Sequence, residues 1–179
     1  MDVKIFDNFL SPSDLITIEK YGREEELPWR GEFSDMSNPY NLSFFSHDIY
    51  TGDIENSRPL AVKNDYFSVT IFDKIQKKIG RHFLKRIYFN GQYSSMDGSF
   101  HMDADKEDVY NKTVIIYLGP YHREWGGFTQ FYESDKDQMI VAPIPGRMVV
   151  FDGRIPHKGY SFSRQACPMR INLVYKINR

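Results

Sequence analysis

The chain has 179 residues, 41% of them hydrophobic and 16% aromatic, with a formal charge of −1. That is enough apolar surface for one well-buried core and excludes an intrinsically disordered chain, while the near-neutral balance leaves no electrostatic footprint for nucleic acid. The single cysteine, Cys167, excludes an intrachain disulfide and a four-cysteine zinc site. No run reaches the ~20 apolar residues of a membrane-crossing helix, and MDVKIFDNFL lacks the basic-then-apolar pattern of a secretory signal. The expectation is one cytoplasmic domain over 1–179, without nucleic-acid or membrane partners.

In chain order, VKIFDNFL predicts a short strand. SPSDLITIEKYG predicts a helix with Ser11 as N-cap, Pro12 in the first helical position, Asp14 in the first turn and Leu10 stapled onto Leu15. Residues 23–64 show no sustained period, are rich in Asn, Ser, Asp and Pro, and scatter the aromatics Trp29, Tyr40, Phe44, Phe45 and Tyr50. So long an irregular stretch predicts a functional insertion. Phe67, Ile71, Phe72, Ile75 and Ile79 then recur at helical spacing and predict an amphipathic helix closed by Gly80. The basic run Lys74, Lys77, Lys78, Arg81, Lys85 and Arg86 reads as a solvated helix face.

Strands follow. LKRIYFNGQY, KTVIIYLG, GFTQFYES, QMIVAPI, GRMVVFD and RINLVYKI are short, rich in β-branched and aromatic residues, and separated by Gly, Pro or Asp. Helices followed by many strands, without alternation, predict an antiparallel β-sandwich or barrel with helices against one outer face.

Within this frame, SFHMDAD places His101 and Asp103 two residues apart, so on an extended chain both side chains point the same way, as two ligands of one metal must. Alone the pair is a weak signal, because His-x-Asp also arises by chance. Context comes from GRMVVFDGRIPHKGY, where a strand ends in a turn that presents His157, and from Arg170 in the last strand, where alternation puts Asn172 and Val174 on the same face. An inward arginine calls for an anion.

Taken in order, Tyr93, the His101-x-Asp103 pair, TVIIYLG with Tyr117, WGGFTQFY, PGRMVVFDGRIPH and RINLVY resemble the iron(II)/2-oxoglutarate-dependent oxygenases, especially the prolyl 4-hydroxylase-like branch. The resemblance is strong over residues 86–177, and IFDNFLSPSDL looks like the family's opening strand and helix. It implies a mainly β fold with flanking helices, a double-stranded β-helix of the jelly-roll or cupin-like kind. It also implies iron(II) on His101, Asp103 and His157, a facial set that leaves three positions open. Those positions serve 2-oxoglutarate and O2, with succinate and CO2 as co-products and ascorbate as an auxiliary reductant.

Arg170 matches the family's anchor for the distal carboxylate of 2-oxoglutarate, a role suited to the two parallel donors of a guanidinium. Tyr117 matches a tyrosine that helps bind the same ligand, and Tyr93 stands where another barrel tyrosine is often found. Asn172 replaces a more usual small hydroxyl residue. Asp103 argues against the related halogenases, which carry a small residue there. The substrate is expected to be a prolyl or other residue of a protein or peptide, or a free amino acid or similar small molecule. It would be chosen by residues 23–64 and by ADKEDVYNK, residues 104–112.

Other readings stay open at this point. The same ligands on zinc would suit a cupin-like hydrolase or isomerase, and a silent barrel would be a binding module. Gly126 and Gly127 read as a tight turn, Asp152 and Gly153 as the turn that aims His157, and Arg154 and Arg164 as structural ion pairs or substrate contacts. His47, His82 and His122 lack a second ligand type at metal-site spacing.

Overall fold

Ser11 starts the first helix as the sequence predicts. The computed structural model describes residues 1–23, 27–32, 44–52, 65–163 and 168–179. After strand β1 (Val3–Phe6), helix α1 (Pro12–Gly22) opens with a reciprocal cap. Ser11 Oγ accepts from the Asp14 amide at 3.2 Å, and Asp14 Oδ2 accepts from the Ser11 amide at 3.2 Å. Leu10 and Leu15 both join the large apolar cluster. The buried Asp14 carboxylate also takes Lys74 Nζ at 2.5 Å and the Tyr66 hydroxyl at 2.9 Å, which ties α1 to the second helical segment. That segment begins as a π-helical turn, Tyr66–Ile71, and continues as α2 (Phe72–Ile79), ending at Gly80 with φ +89°. The predicted helix thus starts wider than an α-helix, yet Phe67, Ile71, Phe72 and Ile75 still face the core.

Burial works to raise the Asp14 pKa, but hydrogen bonds from Lys74, Ser11 and Tyr66 hold it at about 2 against an ordinary 3.8. A carboxyl whose folded pKa is depressed stabilises the fold above its unfolded pKa and loses that contribution as pH falls through the folded value. Asp14→Asn is therefore expected to cost about 2 kcal/mol in urea unfolding near pH 7, and much less near pH 2. An equal loss at both pH values would contradict the assignment.

The strands form two antiparallel sheets. The larger has the order β1-β8-β5-β10-β4-β3-β2, with β2 (Arg30–Glu32), β3 (Phe44–Thr51), β4 (Phe83–Gln92), β5 (Lys112–Tyr117), β8 (Met148–Asp152) and β10 (Arg170–Asn178). The smaller has the order β7-β6-β9, with β6 (Thr129–Ser134), β7 (Asp137–Val141) and β9 (His157–Gly159). Strand alternation sorts the residues of the large sheet into two layers. Ile87, Phe89, Val114, Ile116, Leu173 and Tyr175 pack with Ile18, Phe67, Ile71 and Ile75 of the helices. Tyr88, Ile115, Tyr117 and Val174 point the other way, toward Phe131, Val141, Val149 and Phe151 between the sheets. This mainly β architecture of two sheets with helices on one outer face is the one expected. No helix among the described residues is long and apolar enough to cross a membrane.

Two expectations change. Residues 23–64 were expected to be irregular, but β2 and β3 lie within them and extend the large sheet beyond β4. The interior of β3 is mostly polar: Ser46, His47 and Asp48 are buried beside Ile49, so a two-residue hydrophobic period never appears. Tyr40 lies outside the described residues. The basic run is also divided, because Lys74 pairs with Asp14 and Lys77 with Asp73 on the helix, whereas Lys85 and Arg86 belong to β4.

Candidate active site

His101 and His157 meet as a directly paired couple beside the small sheet. The His101 amide donates to the His157 carbonyl at 3.1 Å, and the His157 amide to the His101 carbonyl at 2.9 Å, so both side chains leave the same face. The Asp103 amide donates to the Gly153 carbonyl at 2.7 Å, which sets the carboxylate beside them. The result is a three-ligand cluster whose donor atoms lie within 4.8 Å of one another, and among the described residues no other group of this kind occurs. His101 Nε2 is 3.7 Å from Asp103 Oδ1, and His157 Nε2 is 3.4 Å from Asp103 Oδ2.

The surroundings fix which atoms face inward. Nδ1 of His101 lies 2.9 Å from the Ser99 carbonyl and Nδ1 of His157 lies 2.9 Å from the Ile155 carbonyl. Nδ1–H therefore donates, and each Nε2 lone pair is left free for a metal. Burial pushes His157 down to about 4, so the imidazole is neutral near pH 7, as a ligand must be. Burial works to raise Asp103, but Lys176 first, then His157 and His101, hold it well below the usual carboxylate range. Lys176 Nζ contacts Asp103 Oδ2, which also accepts from Thr113 Oγ1 at 2.6 Å; Lys176 Nζ lies 3.1 Å from that hydroxyl.

The triad opens onto a cavity of about 490 Å³ floored by the inward faces of β4 and β10. Arg170 stands at one end, 2% exposed, and every hydrogen-bond partner it has is neutral. Nε donates to the Gly127 carbonyl at 2.7 Å, Nη1 to Gln92 Oε1 at 2.9 Å and Nη2 to Thr129 Oγ1 at 3.1 Å. With its amide oxygen turned toward the guanidinium, Asn172 also accepts from Nη1 at 2.7 Å. Among the described residues no carboxylate forms an ion pair with Arg170, and burial pulls its pKa down to about 10. Asp97 acts on this guanidinium only through space, so a buried cation whose hydrogen-bond partners are all neutral stands beside an open cavity, an arrangement able to receive an anion.

Gly127 makes this possible. Its φ is +73°, and a Cβ there would stand 2.5 Å from Phe162 Cδ1 and 3.3 Å from Arg170 Cδ. Gly127→Ala is expected to cost on the order of 2–3 kcal/mol of stability, checked by urea unfolding. An unchanged unfolding midpoint would contradict this.

The other predicted residues fall into place unevenly. Asn172 lines the cavity. Tyr117 is fully buried between the sheets, and its hydroxyl donates to Thr129 Oγ1 at 2.8 Å, so it steadies the threonine that holds Arg170 and does not line the cavity. Tyr93 is corrected: it is 53% exposed, packs edge-on against Phe45 and stays outside the cavity. Strand parity explains this, because Arg86, Tyr88, Asn90 and Gln92 face inward from β4 and Tyr88 is its cavity tyrosine. Arg154 is committed to Asp152 by a two-pronged pair at 2.9 and 2.7 Å. Arg164 and Cys167 lie outside the described residues. His47 and His82 are buried away from the cluster, and His122 is exposed. Lys176, Thr113, Thr129 and Gln92 were not foreseen. Extending the β10 alternation by one more step, from Val174 to Lys176, would have found the lysine.

Two imidazoles and one carboxylate suit a divalent first-row metal, which sits roughly 2.1 Å from such donors and leaves them roughly 3 Å apart. The observed 3.4 and 3.7 Å spacings are close to that. No family model and no curated protein matches the sequence. Solved structures do match. A double-stranded β-helix with a His-x-Asp…His triad is the architecture of the iron(II)/2-oxoglutarate oxygenases, and this chain has that fold.

A prolyl-4-hydroxylase from Pseudomonas putida superposes with TM-score 0.67 and 18% identity, over 99% of this chain and 92% of its own. A 2-oxoglutarate/iron(II) oxygenase-family oxidoreductase from Burkholderia pseudomallei gives TM-score 0.72 at 16% identity, over 98% and 84%. A prolyl hydroxylase from Trichoplax adhaerens, in complex with a hypoxia-inducible-factor peptide fragment, gives 0.67 at 18%, over 98% and 83%. These likenesses carry the fold; the chemistry rests on the residues of the site.

Proposed function

We propose that the chain is an iron(II)- and 2-oxoglutarate-dependent dioxygenase that hydroxylates a prolyl or other residue of a protein or peptide, or a free amino acid, and releases succinate and CO2. One observation carries this reading: a triad able to hold iron shares its cavity with a buried guanidinium whose hydrogen-bond partners are all neutral. A zinc hydrolase would leave that guanidinium without a task.

His101, Asp103 and His157 would hold the iron(II), which when bound supplies the activation of dioxygen that couples decarboxylation of 2-oxoglutarate to oxidation of the substrate. The remaining work belongs to the chain. Arg170 binds the distal carboxylate through its charge and the remaining Nη2 donor, with Thr129, Gln92, Asn172 and the Gly127 carbonyl fixing the guanidinium plane. Ile115 and Val174 keep the middle of the cavity apolar, which strengthens charge pairing there. Thr113 and Lys176 hold the Asp103 carboxylate in place. Phe44 and Asn111 line the cavity from the two segments, 23–64 and 104–112, that we assign to substrate choice.

The test is incubation with ferrous ion, 2-oxoglutarate and candidate peptides and amino acids. Succinate formation coupled to the gain of one oxygen in one candidate, seen by mass spectrometry, is the expected result. Substrate conversion that proceeds without 2-oxoglutarate would overturn the reading.

A further inference from the structure

At the end of the cavity away from Arg170, two cations meet. Arg86 of β4 and Lys176 of β10 are direct partners in the strand register, and both line the cavity together with Lys85. Like charges on paired positions repel unless an anion lies with them. Each cation already has a carboxylate, but neither carboxylate serves the cavity freely. Asp48 takes Arg86 Nε at 2.6 Å from the β3 side, and Asp103, the partner of Lys176, belongs to the triad and must share its charge with any metal. Arg86 Nη2 is buried and lacks a hydrogen-bond partner among the described residues. A buried guanidinium N–H left in that state asks for an acceptor.

The acceptors in the same cavity are the mirror case. Asn90 Oδ1 and Asn111 Oδ1 are buried without a donor among the described residues, and both residues line the cavity. Along β10, Lys176 and Arg170 are separated by roughly 20 Å of extended backbone. The triad lies between them: Asp103 touches Lys176, while a Cβ at Gly159, two residues after His157 on β9, would lie 3.8 Å from Arg170 Nη1. One cavity therefore has two anion-seeking ends, and 2-oxoglutarate reaching the triad from Arg170 accounts for only one.

Resting on the oxygenase reading above, we propose that Arg86 and Lys176 form a subsite for a carboxylate of the molecule that is oxidised. Asn90 and Asn111 accept its N–H groups, so the substrate is amino-acid-like and acidic. The carboxylate comes from the α-position of a free amino acid or from an acidic side chain of a peptide. The shared chemistry is an anion and an N–H donor on one ligand.

The experiment uses the full chain, 15N-labelled, loaded with zinc(II) as a redox-silent ion and saturated with 2-oxoglutarate. Propionate and its neutral isostere propionamide are then titrated by NMR. Propionate, and not propionamide, is expected to shift amides of residues 85–88 and 174–177, and Arg86→Gln is expected to weaken it about tenfold. Because Arg86→Gln leaves the buried Asp48 without its cation, the charge-matched pair Arg86→Gln with Asp48→Asn is made alongside.

Equal binding of the two probes, shifts confined to the Arg170 end, or unchanged affinity in both variants overturns the proposal. Failure of 2-oxoglutarate itself to shift Gln92, Thr129 and Arg170 overturns the oxygenase reading instead, and is read before propionate is added. Two arms then locate the source through stimulated succinate formation. Free amino acids are compared with their primary amides, and N-acetylated, C-amidated peptides carrying Asp or Glu with their Asn or Gln counterparts. Preference for the acid in either arm supports the subsite, and equal response to acid and amide in both overturns it.

Discussion

Asp103→Ala is expected to abolish substrate-coupled succinate formation and also to destabilise the fold, by about 3–5 kcal/mol. The activity loss follows from removing the one anionic ligand of the triad. The stability loss follows from Lys176, which is partly buried beside Asp103 and whose pKa is raised by it against the opposing effect of burial. Without the carboxylate, an ammonium is left in a low-dielectric cavity. Adding Lys176→Met removes that charge and is expected to restore most of the stability and none of the turnover. Urea unfolding and succinate assays on both variants separate the two roles. Retained turnover in Asp103→Ala would place the metal elsewhere, and a double variant no more stable than the single would show that the pair is not what links these residues.

Arg170→Ala is expected to weaken 2-oxoglutarate binding by about 10²–10³-fold, since it removes a desolvated cationic partner for a carboxylate. Arg170→Lys keeps the charge but loses the planar fork that Gln92, Thr129 and Gly127 are arranged to hold. Its affinity is expected to fall between the two, about tenfold below the parent chain. Calorimetric titration of the metal-loaded protein measures both. Equal affinity in all three proteins would mean that the cosubstrate's far carboxylate binds elsewhere.

The layers of this fold were legible because the strands after Gly80 alternate cleanly. RINLVYKI puts Ile171, Leu173 and Tyr175 on the helix side and Arg170, Asn172 and Val174 on the cavity side, and the register confirms the split. The helix start was legible because its cap is local: Ser11 and Asp14 exchange hydrogen bonds across one turn. β3 was hidden because three of its four buried residues are polar, with distant partners for two of them, Arg86 for Asp48 and Glu32 for Ser46. Pairing between segments far apart in sequence leaves no periodic trace.

At the site, the spacing of His101 and Asp103 and the inward Arg170 were open to sequence reasoning because strand geometry fixes which way side chains point. Tyr93 was misplaced because resemblance supplied a residue type and not a parity, and one step along β4 moves a side chain to the other face. The tasks of Lys176 and Thr113 emerge only when β10 and β5 come together over Asp103, a contact that register alone determines.

The most direct test of the central claim is anaerobic addition of ferrous ion and then 2-oxoglutarate to the purified chain, followed by absorption spectroscopy. A weak metal-to-ligand charge-transfer band in the visible is predicted, present in the parent chain and lost in Arg170→Ala at modest 2-oxoglutarate concentration. A parent chain that binds ferrous ion yet shows no band at saturating 2-oxoglutarate, or a band indifferent to Arg170, would contradict the account.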